Sequence, residues 1–385
     1  MKKLAIITTH PIQYYAPIFK LLQQRALIAI KVFYTLGQQE AKYDHGFGKS
    51  IDWDIPLLDG YDYEWVENTA EAPGSHHPKG IINPTLINQI TQFQPTAILV
   101  FGWNYTSHFK TMRHFKNKVP VYFRGDSTLL DTINPFKDIL KTLYLRWIYR
   151  HVGHAFYAGT QNKAYFKKYG LKDQQLSFTP HAIDNERFLI NRSVEANKLR
   201  DKFGINNDDT LITFAGKFET KKSPLLLLSA FIKLNKPNLH LLFTGNGKLE
   251  TSLKQMASGR KNIHFLNFQN QTDMPVIYQA CDLFCLPSAG PGETWGLAIN
   301  EAMACNKAIL VSDKVGCAID LVKENYNGAI FKSNDEKSLV DALAKLTQSK
   351  KVLQEYGKNS GALIQKWNFT AIAIAIENKL LNETN

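Results

Sequence analysis

Two glutamates, Glu293 and Glu301, are separated by seven residues that are almost all apolar or small. A helix of this composition would be buried on most sides, where a carboxylate is costly unless a cation or a ligand hydroxyl pairs with it. A Gly-Pro-Gly run at 290–292 places Glu293 just before the helix. At about 1.5 Å of rise per residue, the carboxylates lie roughly 12 Å apart along its axis. A nucleotide diphosphate-sugar spans that distance, with its phosphates over the helix N-terminus, where free amides attract anions.

Two lysines follow a glycine turn earlier in the chain. A strand-like run ends at Gly216, and cations stand at Lys217 and Lys222. The glycine permits close backbone approach, and two ammonium groups can neutralise a diphosphate. Taken alone, such lysines are more often solvated loop charges, because short motifs are weak signals. The glutamate pair about seventy residues downstream favours phosphate binding instead.

These motifs resemble the E-x7-E signature and the strand-loop pattern of retaining glycosyltransferases of family 4, which have the GT-B fold. The resemblance continues through residues 311–317, 320–322 and 327–328; it is specific between residues 211 and 322 and weaker before residue 158. Two positions depart from the family, since Lys217 replaces the usual Arg and Asn306 the usual Gly. Lysine holds phosphate as a point charge, and asparagine is the next-best residue for the left-handed conformation that ends a helix.

The resemblance implies a role for each residue of these motifs. Glu293 would bind sugar hydroxyls, and Lys217 and Lys222 would stabilise the departing diphosphate; these three are the predicted catalytic residues. Glu301 would hold the ribose. The other predicted donor-binding residues lie in two glycine turns and at the start of the helix; they are Gly216, Gly245, Asn246, Gly247, Thr294, Trp295, Gly296 and Leu297. Outside this context, the Gly-Asn-Gly turn would be read simply as a strand-to-helix connection.

Short aliphatic runs alternate with longer helical patterns along the chain, which predicts an α/β fold with parallel sheets. The resemblance makes this a GT-B fold: two Rossmann-like, doubly wound domains facing a central cleft, with a C-terminal helix that crosses back to the first domain. We expect an acceptor-binding domain at 1–190 with the helix at about 367–385, and a donor-binding domain at 191–366. The predicted strands are 4–8, 28–34, 97–101, 119–123, 155–158, 211–215, 239–244, 263–266, 283–286, 308–311 and 329–331.

Acceptor-side candidates follow two strands of the first domain. His10, Gln13 and Tyr14 lie in the loop after the first strand, where many relatives have a glycine-rich loop. Packing of this proline- and aromatic-rich loop is an equally good explanation. Arg124 and Asp126 follow a later strand, at a position where family members often place a polar residue. The alternative for Asp126 is a helix N-cap.

The net charge of +12 is concentrated in one segment: residues 101–172 contain thirteen Lys or Arg and three Asp, a net charge of +10. Such a segment favours anionic partners. No nucleic-acid-binding module accompanies it, so we expect no nucleic acid but possible peripheral contact with anionic membrane. At 100° per residue, one helix face gathers Phe136, Ile139, Leu140, Leu143, Tyr144, Trp147 and Ile148, with Lys137 and Lys141 on one edge and Arg146 and Arg150 on the other.

Two explanations of this stripe stay open. Because amphipathic helices of soluble folds mostly face the core, we expect the stripe to pack on the sheet. The alternative is an interfacial helix whose basic borders reach lipid headgroups. The basic stretch 108–118 is a second candidate for membrane contact.

The remaining features suggest a cytoplasmic protein without a metal. The apolar N-terminal run is too short for a signal-peptide core, and no run is long enough to span a bilayer. Cys281, Cys285, Cys305 and Cys317 lie in apolar segments and lack zinc-site spacing, so buried reduced thiols are expected. Asp52 and Asp54 match a metal-binding Asp-x-Asp pattern, but no strand leads into an open site there, and we expect neither metal nor other cofactor.

The sequence therefore predicts a hexosyltransferase. It would move a hexose from a nucleotide diphosphate-sugar to the hydroxyl of a glycan or lipid-linked glycan, with retention of configuration. The alternatives are a sugar-nucleotide epimerase or a phosphorylase of the same fold, or a two-lobed sugar-binding protein without catalysis.

Overall fold

The computed structural model describes residues 1–38, 43–44, 49–50, 52–131 and 134–383. Apart from the segment 45–48, the chain forms two compact units, one comprising Met1–Asp44, Lys49–His181 and Phe369–Asn385, the other Ala182–Asn368. The main boundary therefore falls at 181/182, a few residues before the position 190 expected from the sequence. None of the helices that the structure describes is long and apolar enough to cross a membrane.

Within its described residues, the first unit contains a seven-stranded parallel sheet in the order β5-β2-β1-β6-β7-β8-β9. Its central strand carries four consecutive apolar residues that are fully buried, as expected for a parallel strand covered on both faces. A two-residue antiparallel pair, β3 with β4, stands apart from it. The strands are β1 (Lys3–Thr8), β2 (Ala29–Tyr34), β3 (Tyr43–Asp44), β4 (Lys49–Ser50), β5 (Tyr63–Trp65), β6 (Ala97–Phe101), β7 (Val121–Arg124), β8 (His154–Tyr157) and β9 (Leu176–Phe178).

Helices alternate with these strands along the first unit. They are α1 (Ala16–Arg25), α2 (Leu86–Phe93), α3 (Thr106–Phe115), α4 (Pro135–Tyr149) and α5 (Thr160–Lys168). The core between α2, α3, α4, α5 and the sheet is rich in aromatic rings, and Phe123, Tyr149 and Phe166 contact one another edge to face.

In the part of the second unit that the structure describes, six parallel strands form a sheet in the order β12-β11-β10-β13-β14-β15. They are β10 (Thr210–Ala215), β11 (Leu239–Thr244), β12 (Ile263–Leu266), β13 (Leu283–Leu286), β14 (Ala308–Ser312) and β15 (Gly328–Phe331). The helices are α6 (Asn185–Leu189), α7 (Ser193–Lys202), α8 (Pro224–Leu234), α9 (Glu250–Met256), α10 (Met274–Ala280), α11 (Leu297–Ala304), α12 (Ala318–Leu321), α13 (Glu336–Leu346) and α14 (Lys350–Ile364).

The last helix, α15 (Phe369–Leu381), belongs to the first unit and packs against α1. Its Glu377 is 2% exposed, and Nε of Arg25 donates a hydrogen bond shared by the two carboxylate oxygens, at 2.9 Å from each. A buried carboxylate without such a partner would be strongly destabilising, so this pair fixes where the helix docks. The predicted return of the C-terminal helix to the first domain is confirmed.

The expected packing of the α4 stripe is wrong. Five of its apolar side chains are exposed, and Trp147 is half-buried. Only Ile148 of the predicted stripe is buried, and it shares the inner face with Leu145 and Tyr149. The helix has apolar residues on two opposite sides, and the core covers the side that includes Leu145 and Tyr149, which the predicted stripe lacked.

Candidate functional site

The residues predicted to bind the donor follow three parallel strands, β10, β11 and β13, at one edge of the second sheet. The chain first adds β11 and β12 on one side of β10, then crosses to the other side with β13. At such a reversal the loops of the two central strands diverge and leave a crevice at their carboxyl ends, where α/β proteins bind ligands. The loops after β10 and β13 carry the predicted catalytic residues.

An ion pair joins these two loops. Nζ of Lys222 lies 2.5 Å from Oε2 of Glu293, and the hydroxyl of Ser288 donates to the same oxygen at 2.8 Å. Glu293 is 8% exposed and the Lys222 side chain 18%. The backbone N–H of Ala289 also donates to the carbonyl of Lys221 at 2.8 Å. The structure thus brings two of the three predicted catalytic residues into contact, although about seventy residues separate them.

Close backbone contact explains the glycine turns after β10 and β11. A Cβ atom on Gly245 would lie 2.1 Å from the carbonyl oxygen of Gly216, and one on Gly247 would lie 2.6 Å from that of Phe218. The N–H of Phe218 donates to the carbonyl of Asn246 at 2.9 Å. These glycines allow the two loops to lie against each other, which places the half-buried Lys217 beside the Gly-Asn-Gly turn.

The side chain of Asn246 holds neighbouring loops together. Its Nδ2 donates to Glu250 at 3.0 Å, and its Oδ1 accepts from the N–H of Phe268 at 2.7 Å. A positioning role therefore accompanies the donor-binding role predicted from the sequence. Its backbone remains next to the Lys217 loop.

Helix α11 starts later than the sequence suggested. Gly296, with φ of +94°, precedes its first residue, Leu297, so residues 294–296 are not helical. The helical rise therefore does not apply to the whole interval between Glu293 and Glu301. The segment from Glu293 to Gly296 therefore leads into the helix through a left-handed turn, and its amides are those predicted to face an anion.

Trp295 packs inside the unit. It is 4% exposed, its Nε1 donates to Oδ1 of Asn300 at 2.9 Å, and its ring lies 5.2 Å from that of Trp367. Its carbonyl accepts from the N–H of Cys317 at 3.0 Å. The indole therefore anchors the loop. The donor contact predicted for Trp295 would have to be made by its backbone.

Glu301 has a partner from the chain itself. It is 4% exposed, and the hydroxyl of Tyr278 on α10 donates to its Oε2 at 2.7 Å. The sequence required a partner for this carboxylate but offered no signal for Tyr278, because α10 reaches α11 only through tertiary packing. The expected left-handed residue at the end of α11 is present, since Asn306 has φ of +57°.

In the first unit, Arg124 is used to fasten the chain. It is 3% exposed, and its guanidinium donates to the carbonyls of Thr179 and Pro180, both at 3.1 Å, and to the hydroxyl of Thr179. Burial lowers the pKa of Arg124, while Tyr15 and Asp126 oppose that shift. Arg124 thus lies at the carboxyl end of β7, and its guanidinium is hydrogen-bonded to backbone carbonyls of residues 179 and 180.

Tyr15 and His181 accompany Arg124, and neither was among the residues predicted from the sequence. The Tyr15 ring stacks on His181 with centroids 6.3 Å apart and contacts Phe101 at 4.8 Å. Burial and the charge of Asp126 raise the pKa of Tyr15 to about 12, although Arg124 opposes this. Burial, together with Arg124, lowers the pKa of His181 to about 4. Tyr15 adjoined a selected motif, whereas His181 had no sequence signal.

The other acceptor-side candidates lie near this cluster in sequence. Nδ1 of His10 is 2.9 Å from the hydroxyl of Thr9, and Gln13 and Tyr14 are half-buried. Asp126 is half-buried and close enough to influence Tyr15, Arg124 and His181 electrostatically. The acceptor-side role of these residues stays a prediction.

The cysteines and the Asp-x-Asp pattern occupy different environments. All four cysteines are buried and unpaired by disulfides, and burial raises the pKa of each thiol. Asp52 and Asp54 are exposed. Among the residues that the structure describes, no group of three or more His, Cys, Asp or Glu could hold a metal ion.

Comparison with known proteins finds matches to glycosyltransferases. Residues 195–362 match the model of the family "Glycosyl transferases group 1". The chain is 30% identical over 207 residues to the alpha-monoglucosyldiacylglycerol synthase of Acholeplasma laidlawii, covering 51% of this chain and 50% of the relative. It is 30% identical over 194 residues to the UDP-Gal:alpha-D-GlcNAc-diphosphoundecaprenol alpha-1,3-galactosyltransferase of Escherichia coli, covering 48% of each. The chain thus spans about half the length of these curated relatives.

Solved structures resemble the whole chain. Anabaena Alr3699/HepE, crystallised in complex with UDP and glucose, has a TM-score of 0.72 at 17% identity, and the match covers 100% of both chains. The lipopolysaccharide-biosynthesis glycosyltransferase WaaG has a TM-score of 0.67 at 15% identity, covering 99% of this chain and 100% of WaaG. The predicted GT-B fold class is confirmed.

The His181 environment predicts a pH dependence of stability. Because the pKa of His181 is about 4 in the folded chain and about 6.5 when unfolded, the unfolded state binds more protons between these values. The part of the free energy of unfolding that depends on neutral His181 is therefore greatest above pH 6.5. It falls by up to about 1.4 kcal/mol per pH unit as the pH drops toward 4. Urea unfolding should therefore show a shallower acid loss of stability in His181→Gln than in the wild type. The exposed His76→Gln is the control; an unchanged acid slope in His181→Gln would contradict the prediction.

Proposed function

We propose that this protein is a retaining glycosyltransferase of the family 4 type. It transfers a hexosyl group from a nucleotide diphosphate-sugar to the hydroxyl of a glycan or lipid-linked glycan. The observation that carries the proposal is the Lys222–Glu293 ion pair at the strand reversal of a sheet whose residues match group 1 glycosyl transferases. A nucleotide diphosphate-sugar needs a cation for its phosphates and, close to it, a carboxylate for its sugar hydroxyls.

The names of the related proteins support the substrate classes. One relative is named for a monoglucosyldiacylglycerol product and another for a UDP-sugar donor and a diphosphoundecaprenol acceptor. Alr3699/HepE was crystallised with UDP and glucose. We infer a nucleotide-sugar donor and an acceptor attached to a lipid or a glycan for the present chain.

The geometry suggests how each donor group would be held. Lys222 neutralises Glu293 before the donor arrives, so a sugar hydroxyl can approach the carboxylate and a diphosphate can approach the ammonium group without leaving a buried charge unpaired. Lys217 would add a second cation, and the amides at 294–297 would face the phosphate and sugar. Glu301, oriented by Tyr278, would accept hydrogen bonds from the ribose.

The reaction would retain the anomeric configuration by front-face attack. The bond between the anomeric carbon and the phosphate oxygen breaks, and the acceptor oxygen bonds to the same face of that carbon. The acceptor proton passes to the leaving phosphate oxygen, which removes the need for a separate base. Since protein cations stabilise the leaving group in this scheme, we propose that no divalent ion is required.

A donor panel tests this function. We expect one of UDP-, GDP- or ADP-sugars to raise the melting temperature, because a ligand that binds only the folded state stabilises it. Nucleotide release should then require an acceptor and continue after exhaustive chelation. Sugar-nucleotide conversion without acceptor would instead indicate an epimerase, and phosphate-dependent release a phosphorylase. Loss of turnover on chelation, restored by Mg²⁺ or Mn²⁺, would contradict the metal-free scheme and return attention to Asp52 and Asp54.

The two lysines should be needed for turnover. We expect Lys217→Ala and Lys222→Ala each to lower kcat by about 10²–10³, the usual effect of removing one preorganised group from a developing anion. Lys222→Arg keeps the charge beside Glu293 and controls for loss of the buried pair. Lys221→Ala is the matched control, because its side chain is 41% exposed and its Nζ lies 3.6 Å from Oε1 of Glu219. Near-normal turnover in both alanine variants would remove the lysines from the mechanism.

The two glutamates should differ in their kinetic effect. Glu293→Gln should lower kcat, because the carboxylate acts where charge develops on the reacting sugar. Glu301→Gln should mainly raise KM for the donor, since ribose binding is similar in the ground state and the transition state. The isosteric changes keep most hydrogen bonds, and circular dichroism would verify folding. Equal losses of kcat in the two folded variants would refute this division of roles.

A further inference from the structure

Helix α4 presents an apolar surface to solvent. Its outer face, defined here as Phe136, Ile139, Leu140, Leu143 and Tyr144, has side chains between 51% and 71% exposed. Single exposed apolar residues are ordinary, but five on one helix face form a patch that marks an interaction site. The opposite face of α4 already packs in the core through Leu145, Ile148 and Tyr149. The outer face is therefore not needed to attach the helix to the first unit.

Cations border this outer face on both sides. At 100° per residue, Lys137 lies along one edge and Arg146 and Arg150 along the other. Lys141, which the sequence placed on the first edge, turns toward the inner side, where its Nζ lies 5.5 Å from the centroid of the Tyr165 ring. Asp138 is the single acidic residue in the described helix Pro135–Tyr149, and it lies toward the inner side, where it pairs with Lys168 at 2.7 Å. The outer face is thus apolar at its centre and purely cationic at its edges.

A cation-lined cavity lies at the C-terminal end of the same helix. It has a volume of about 370 Å³, and Arg150, which follows the last residue of α4, lines it together with Lys116 and Lys118. No acidic side chain stands among the described residues that line it. Its size and charge fit an anionic headgroup, and it is an observation independent of the apolar patch.

We propose that the outer face of α4 docks the first unit on an anionic lipid bilayer. The apolar side chains enter the boundary between headgroups and acyl chains, and the bordering Lys137, Arg146 and Arg150 extend to headgroup phosphates. With 15 residues, the helix is about 22 Å long and lies in the membrane plane. A purely apolar partner would explain the patch but not the cations on both borders. This assignment goes beyond the proposed function, because it names a surface and a partner that exist whether or not sugar transfer occurs.

Vesicle sedimentation without any sugar nucleotide tests the proposal. The full chain should pellet with phosphatidylglycerol-rich vesicles at low salt, dissociate at high salt, and ignore pure phosphatidylcholine. Leu140→Glu with Leu143→Glu should weaken binding at least tenfold. Lys137→Glu with Arg146→Glu should do the same, because each cation near an anionic leaflet strengthens binding about fivefold. Since all four side chains are exposed, the melting temperature should not change.

Matched controls come from the second unit. Val194→Glu alters an apolar side chain that is 63% exposed, and Lys351→Glu reverses an exposed charge; both should bind like the wild type. Absence of wild-type binding to anionic vesicles, or equal binding of the α4 variants, would overturn the proposal. A dimer that dissociates in Leu140→Glu with Leu143→Glu, without vesicle binding, would assign the face to a second copy and overturn it as well. Transfer of sugar to a water-soluble acceptor should be measured in parallel. That measurement distinguishes failure of the membrane-docking proposal from failure of the proposed transferase function.

Discussion

The pairing of β10 with β13 in the second sheet is the constraint on which the candidate site depends. It places the loops that follow these two strands side by side at the carboxyl edge. The ion pair between Lys222 and Glu293 joins those loops, and the backbone bond from Ala289 to Lys221 adds to it. A carboxylate as buried as Glu293 is tolerated because a cation lies against it. The observed strand order therefore brings the two charges together.

The surrounding loops are held by the chain's own hydrogen bonds, which leaves few side chains to adjust when a ligand binds. Trp295, Asn246 and Glu301 each have a defined intramolecular partner. Intramolecular hydrogen bonds of this kind are usual in a preorganised site, because they fix the geometry of the groups that contact the substrate. It also shifts the expected ligand contacts from side chains to backbone amides around Gly296, which suits a phosphate.

The first unit contributes a different chemistry. Its carboxyl edge has a cluster of Tyr15, Arg124 and His181 in which burial dominates the pKa of each group. Its outer side carries α4, a helix with apolar residues on two opposite faces and cations between them. The proposed transfer from a nucleotide-sugar to a lipid-linked acceptor would use both kinds of surface, one in each unit.

The sequence by itself determined the elements and the chemical types of the site residues. Four predicted strands, 97–101, 239–244, 263–266 and 283–286, have the observed bounds, because buried parallel strands are short aliphatic runs with sharp ends. The edge strands β5 and β9 were missed, since each has three residues and little burial. The need for partners at Glu293 and Glu301 also followed from the cost of burying a carboxylate in an apolar segment.

Only the tertiary structure decided which groups meet. Lys222 reaches Glu293 through strand order, Tyr278 reaches Glu301 through helix packing, and His181 joins Tyr15 with no local signal. The exposed side of α4 was decided in the same way. Periodicity finds an apolar stripe, but a helix with two such stripes has two ways to dock, and the sheet selected the face of Leu145, Ile148 and Tyr149. Local sequence patterns determine which faces of a segment are apolar. Which of these faces is buried depends on the neighbouring elements that the fold places against it.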